Sequence, residues 1–79
     1  MTPFCTAVVN ILLSQKDVDA GMGAYDLRER LMDLGFGKRP AGVAMNLTKL
    51  AFKGEYVTQF IYKEERIFML TAKGRKGRP

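Results

Sequence analysis

The 79-residue chain contains no histidine and only one cysteine, Cys5. It therefore lacks the commonest metal ligand and the side chain that most often acts as a general base near neutral pH. One cysteine cannot form an internal disulfide, and a thiolate metal cluster would need more ligands. We expect no enzyme activity, no metal and no cofactor, and we interpret Cys5 as a small buried or half-buried residue.

Long apolar runs are also missing from the chain. No apolar stretch reaches the roughly 20 residues that a membrane-spanning helix requires. The N-terminus lacks the basic segment and the cleavage site of a secretory signal. These absences and the single cysteine predict a cytoplasmic protein in a reducing setting, with no membrane partner. Because 47% of the residues are hydrophobic, one packed domain is nevertheless expected.

Positive charge is concentrated in the second half of the chain. Residues 1–37 contain three Lys/Arg and five Asp/Glu, a formal charge of −2. Residues 38–79 contain ten Lys/Arg and three Glu, a formal charge of +7. This asymmetry indicates a polyanionic partner such as nucleic acid. The alternative is a basic protein whose charges serve only its solubility.

The spacing of apolar residues predicts three helices. They cover residues 3–14, 24–34 and 40–53. Thr2 is the expected N-cap of the first helix and Pro3 its first residue. Gly35 and Gly54 are expected to end the second and third helices in the left-handed conformation. Residues 16–23 are interpreted as a connection that holds at most one short extended segment.

After the third helix the apolar period changes from 3.6 to 2, which is typical of strands. Residues 56–62 and 66–71 are predicted to pair as a β-hairpin across a charged turn at residues 63–65. Residues 73–79 offer no apolar side chain to bury, so we expect a mobile basic tail there. The folded domain is then expected to cover residues 1–72.

Helix, helix, short turn, helix and hairpin is the order of a winged helix-turn-helix domain, an α+β fold. Three helices would be followed by a two-stranded antiparallel wing. The second helix braces the third, which has the right diameter to enter the major groove of DNA. The wing would then reach along the phosphate backbone or into the minor groove.

Three motifs carry a resemblance to a known group of proteins. They are residues 23–31 (GAYDLRERL), Val43-x3-Leu47-x2-Leu50-x3-Gly54-x-Tyr56-Val57 and Phe68-x-Leu70-Thr71-x2-Gly74-Arg75. In this order they resemble the second helix, the third helix with the first wing strand, and the end of the wing in PadR and MarR regulators. The resemblance covers nearly the whole chain and implies a DNA-binding transcriptional regulator.

PadR and MarR proteins carry extra helices that make their dimers, and these 79 residues do not include them. A homodimer of this chain would then use the first helix, residues 3–14, or a face of the sheet. Val9 and Leu13 are the candidate contacts on the helix, and Ile67 and Met69 are those on the sheet.

The expected DNA contacts follow the outward side of the third helix and one strand of the wing. They are Lys38, Arg39, Ala41, Met45, Thr48, Lys49, Lys53 and Arg66. We expect the Arg39 guanidinium to grip guanine or a phosphate, and Lys49 and Lys53 to bind phosphates. Thr48 would hydrogen-bond a phosphate or a base edge, and Ala41 or Met45 would meet a thymine methyl.

Other interpretations of the same residues remain open. Lys38, Lys49 and Lys53 would also suit an ordinary solvated face. Met45 and Phe52 would suit a winged-helix module that binds protein instead of DNA. Binding of single-stranded nucleic acid or RNA is a third alternative. The wing tip contains two acids beside its cations, so it need not lie against the backbone.

Overall fold

Four α-helices, a 3-10 turn at Val18–Ala20 and three strands make up the described residues, 1–76, of this computed structural model. In chain order the main elements are α1 Pro3–Leu13, β1 Met22–Gly23, α2 Ala24–Asp33, α3 Pro40–Lys53, β2 Val57–Tyr62, β3 Glu65–Leu70 and α4 Ala72–Lys76. The predicted α+β class is confirmed, with one more α-helix than expected, and the short extended segment allowed for residues 16–23 is the strand β1.

Local signals mark the start of α1 and the ends of α2 and α3. The Oγ1 atom of Thr2 accepts a 3.1 Å hydrogen bond from the Cys5 amide, which satisfies a donor that the helix itself leaves unpaired. Gly35 and Gly54 have φ angles of +88° and +68°, the left-handed conformation expected after α2 and α3. The predicted cap of α1 and both glycine stops are therefore confirmed.

The sheet has the strand order β1-β3-β2, and both pairings are antiparallel. The expected sheet had only the two strands of the hairpin. Strand β1 is two residues long, too short for an alternating pattern to show in the sequence, and it pairs Met22 with Phe68. The close approach of β1 to β3 depends on Gly21, because a Cβ there would lie 2.6 Å from the carbonyl oxygen of Phe68.

The turn of the β2–β3 hairpin is shorter than expected. Tyr62 pairs with Glu65, so the turn consists of Lys63 and Glu64 alone and not of three residues. Both turn residues have positive φ angles, +50° and +65°. Two-residue hairpins require this geometry because it matches the twist of the flanking strands.

The expected tail begins with a helix. Residues 72–76 form α4, which Thr71 caps by accepting a 3.0 Å hydrogen bond from the Gly74 amide. Gly74 is buried so closely against the backbone carbonyl of Tyr56 that a Cβ would collide with it. The absence of an apolar side chain is thus offset by backbone packing at a glycine. The rest of the expected tail, residues 77–79, lies outside the described residues.

The core lies between α1, α2, α3 and the inner face of the sheet. Its most deeply buried side chains are Val8, Val9, Leu12, Leu27, Leu31, Val43, Leu47, Val57 and Phe68. The helical stripes and alternating strand residues predicted from the sequence meet there. Among the described residues, no helix is long and apolar enough to cross a membrane.

Candidate nucleic-acid interface

Helix α3 buries one side in the core and exposes the other. Val43, Leu47 and Ala51 are its buried residues. We use the name outer face of α3 for its exposed residues after Pro40, which are Ala41, Gly42, Met45, Asn46, Lys49, Phe52 and Lys53. The exposure predicted for Ala41, Met45, Lys49 and Lys53 is confirmed.

The electrostatic character of this helix is uniformly positive. No acidic residue occurs between Asp33 and Glu55. Lys38 and Arg39 are exposed just before the helix, where the helix dipole adds partial positive charge. Within residues 1–76 the salt bridges are Lys73–Glu55 and Arg75–Asp19, so none involves a cation on or beside α3. None of these exposed cations therefore forms a salt bridge with a carboxylate of residues 1–76.

The hairpin is tied to α3 by a hydrogen bond between two of the expected contacts. Nη1 of Arg66 donates to the hydroxyl of Thr48 at 2.8 Å. That hydroxyl in turn donates to the carbonyl oxygen of Ala44, one turn earlier in α3, at 3.0 Å. The Thr48 hydroxyl is thus engaged within the protein, whereas the guanidinium of Arg66 has five N–H donors and uses one of them here.

The tip of the hairpin carries both charge signs. Lys63 and Glu64 form the turn and are exposed, as is Glu65. The ammonium group of Lys63 lies 5.3 Å from the centre of the Tyr62 ring, a cation–π geometry. The basic side chain that points from the hairpin towards α3 is therefore Arg66, not Lys63.

Asn46 is a candidate nucleic-acid contact that the sequence analysis did not identify. Its position on a helical wheel lies nearer the core, but the structure exposes it on the outer face of α3. It follows Gly42 by four residues and precedes Lys49 by three, and both of those residues lie on the outward flank of the wheel. This helical spacing was the signal that would have identified it.

Apolar side chains share the same region. Phe52 is 90% exposed and Met45 is 59% exposed, because both lie on the side of α3 that faces away from the core. Ile61, which is 68% exposed, pairs with Arg66 across the hairpin. The surface between α3 and the hairpin therefore combines a guanidinium with solvent-exposed apolar side chains.

Only some of the residues expected to form a dimer are accessible to a partner. Val9 is fully buried in the core, so that prediction was wrong, because α1 packs on more than one side. Leu13, Ile67 and Met69 are partly exposed. A groove of about 590 Å³ also runs beside α1, and Leu34 lines it.

Comparison of the chain with protein-family models, with curated proteins and with solved structures found no match. The resemblance to PadR and MarR regulators stays a prediction made from the three motifs. A function for the chain is therefore inferred from the chemistry of the outer face of α3 and of the hairpin beside it.

Proposed function

We propose that the protein is a winged helix-turn-helix domain that binds double-stranded DNA as a transcriptional regulator. Helix α3 enters the major groove, and the β2–β3 hairpin is the wing. The observation that carries this proposal is the outer face of α3, where exposed cations have no acidic neighbour along the helix. Phosphate attraction of this kind supplies most of the nonspecific affinity of DNA-binding proteins.

The dimensions of α3 support this placement. It has 14 residues, which gives a length of about 21 Å at 1.5 Å per residue. The major groove of B-DNA is about 12 Å wide and admits one α-helix. The exposed residues run from Ala41 near the start of the helix to Lys53 at its end, so side chains are available for contact along the whole helix.

The wing contributes through Arg66. Its hydrogen bond to Thr48 holds the guanidinium beside α3, where a phosphate next to the helix would pass. Charge-assisted hydrogen bonds from guanidinium to phosphate are stronger than those between neutral groups. Glu64 and Glu65 repel phosphates, which keeps the tip of the wing away from the backbone.

A binding measurement with matched variants tests the proposal. A fluorescent duplex of about 30 base pairs and randomised sequence is titrated with the protein and followed by anisotropy. We expect Lys49→Ala and Arg39→Ala to weaken binding about 3- to 10-fold each, the loss typical of one phosphate contact. Lys16→Ala removes an exposed lysine far along the chain from α3 and is expected to bind like the unchanged protein. Equal affinity for all four proteins would contradict the proposal.

A second function is favoured by one observation. Phe52 is 90% exposed and Met45, two helical turns earlier on the same side of α3, is 59% exposed, and an exposed apolar patch is typical of a protein-interaction site. A protein-interaction module that uses Phe52 and Met45 would bind a protein partner and would show no salt-dependent affinity for the duplex. Failure of DNA binding together with capture of a protein that is lost in Phe52→Ala would favour this alternative.

A further inference from the structure

The outer face of α3 contains a stripe that is short of charge. Gly42, Met45 and Asn46 occupy positions i, i+3 and i+4, and all three are exposed. Residues with this spacing lie on one side of a helix and meet the same surface. On a DNA-reading helix, side chains near the N-terminal end contact base edges. This stripe is therefore the part of α3 that would face the bases.

Asn46 has the hydrogen-bonding chemistry of an adenine contact. Its amide both donates and accepts, and within residues 1–76 no hydrogen bond occupies it. In the major groove, adenine presents one acceptor, N7, and one donor, the N6 amino group. The amide matches this pair bidentately, whereas guanine presents two acceptors and is matched by two donors.

Met45 has the apolar character of a thymine contact. Its side chain is 59% exposed, and its thioether is a much weaker hydrogen-bond acceptor for a cytosine amino group than a carboxylate is. The feature that distinguishes thymine in the major groove is its C5 methyl group, which apolar side chains contact. Ala41, four residues earlier, extends the same apolar edge.

Gly42 lets the helix approach the bases closely. A Cβ at this position would meet nothing within 4 Å, and its backbone does not have the positive φ that favours glycine. Neither packing nor conformation within the described chain therefore calls for glycine, which is disfavoured inside a helix. A large side chain here would stand between the helix and the floor of the groove.

From these observations we infer that α3 selects A·T base pairs in the major groove. Asn46 hydrogen-bonds adenine, Met45 contacts a thymine methyl, and Gly42 allows the approach. This inference rests on the proposed function, because it assigns base contacts to the surface proposed to bind DNA. It differs from that proposal in predicting which duplexes bind most tightly.

Selection from a pool of randomised duplexes tests the preference. We expect the unchanged protein to enrich duplexes that share at least one fixed A·T position. Asn46→Ala is expected to lose the preference at one adenine and to keep the others. Asn10→Ala is the matched control, because Asn10 is also an exposed helical asparagine but lies on α1. It is expected to enrich the same duplexes as the unchanged protein.

Base analogues in the best enriched duplex test the individual atoms. 7-Deazaadenine at the fixed adenine removes the N7 acceptor, and we expect about a 5- to 150-fold weaker affinity. Uracil in place of thymine removes the methyl group, and we expect about a 3- to 5-fold loss. Asn46→Ala is expected to be insensitive to the first analogue and Met45→Ala to the second. Gly42→Leu should bind every duplex more weakly.

The outcomes separate the two proposals. Enrichment of G·C positions alone, or equal sensitivity of Asn46→Ala and the unchanged protein to 7-deazaadenine, overturns the inference while salt-dependent DNA binding stands. Absence of any duplex binding overturns both. The inference is supported if Asn46→Ala is insensitive to 7-deazaadenine and Met45→Ala to uracil. The Asn10→Ala control must at the same time behave like the unchanged protein.

Discussion

At the scale of single residues, the backbone conformation requires glycine at Gly54, which ends α3, but not at Gly42, which lies inside it. Gly54 has a φ of +68° and ends the helix, with its amide donating to the Leu50 carbonyl oxygen at 3.3 Å. Gly42 lies inside the helix in open surroundings, where an added methyl group would touch no other atom. The same substitution should therefore change stability in opposite directions at the two sites.

Gly54→Ala is expected to destabilise the fold by about 1 kcal/mol, because an L-residue is strained in the left-handed conformation. Gly42→Ala is expected to stabilise it by about 1 kcal/mol, because alanine loses less backbone entropy in a helix than glycine. Urea unfolding would measure both as shifts in the midpoint at an unchanged slope. Shifts in the same direction would contradict the two assignments.

Cys5 is 3% exposed, and this burial raises the pKa of its thiol, with the N-terminal ammonium group acting in the opposite direction. Since the thiolate is the reactive form, we expect an aromatic disulfide reagent at a pH of about 8 to modify the folded protein about 100-fold more slowly than the unfolded chain. The same reaction in guanidinium chloride gives the reference rate. Equal rates in the two conditions would show that the thiol is accessible.

The raised pKa of Cys5 also predicts the direction of a pH effect. Its folded-state pKa lies above the unfolded one, so its contribution to stability is complete at a pH below the unfolded value. That contribution is lost as the pH rises through the folded value. Cys5→Ala should therefore lose less stability than the unchanged protein when unfolding is compared at neutral and alkaline pH.

At the scale of elements, the hairpin turn is built from residues that do not favour its geometry. Lys63 and Glu64 both have positive φ, a conformation that Asn-Gly adopts more easily. The cost is compensated by the six paired positions between β2 and β3. The paired strands therefore hold the turn in its conformation.

Replacing the turn by Lys63→Asn with Glu64→Gly should relieve this strain. We expect a gain of about 1 kcal/mol, which for a chain of this size raises the melting temperature by about 4–8 °C. Thermal unfolding followed by circular dichroism measures the change. Glu65→Gln is a control that removes a neighbouring charge and keeps the original turn. An unchanged melting temperature of the double variant would show that the turn is not strained.

The hydrogen bond from Arg66 to Thr48 joins β3 to α3 and should couple these residues in DNA binding. Thr48→Val removes the acceptor with little change in shape, and Arg66→Gln removes the guanidinium. A double-mutant cycle on duplex affinity is expected to give a coupling of about 0.5–1.5 kcal/mol. Thr58→Val, on β2, is the control for loss of a threonine hydroxyl. Additive effects of the two substitutions would mean that Thr48 does not position Arg66.

At the scale of the whole molecule, charge is divided between the two halves of the sequence. The half that contains α3 and the hairpin carries the positive excess, while the half that contains α1 and α2 is slightly negative. Through most of the molecule the helices and the sheet pack by apolar contacts. The charge division is therefore not required by folding, and it orients the molecule towards a polyanion.

This division predicts a strong dependence of DNA affinity on salt. The proposed phosphate contacts are Lys38, Arg39, Lys49, Lys53 and Arg66, and five contacts give a slope of about −4.5 for the logarithm of affinity against the logarithm of salt concentration. Affinity is then expected to fall about 500-fold when the salt concentration rises from about 50 to about 200 mM. Lys49→Ala should make the slope less steep by about 1, and Lys16→Ala should leave it unchanged. A slope near zero would contradict an electrostatic interface.

Much of the fold was predictable because its signals are local. The bounds of α3, residues 40–53, follow from Pro40, from the apolar spacing and from Gly54. The cap of α1 and the two hairpin strands follow from similarly short patterns. In the candidate interface, the cations and Met45 were predictable as exposed because a regular helix repeats its orientation every 3.6 residues.

The sequence by itself determined the order of the main elements, the apolar residues that face the core and the division of charge, because each depends on residues a few positions apart. Only the tertiary structure decided the pairing of β1 with β3, the packing of Gly74 in α4 against Tyr56 and the bond from Arg66 to Thr48. Each of these joins segments at least 18 residues apart. Such contacts depend on how the packed elements meet in space, and no local spacing of residue types encodes them.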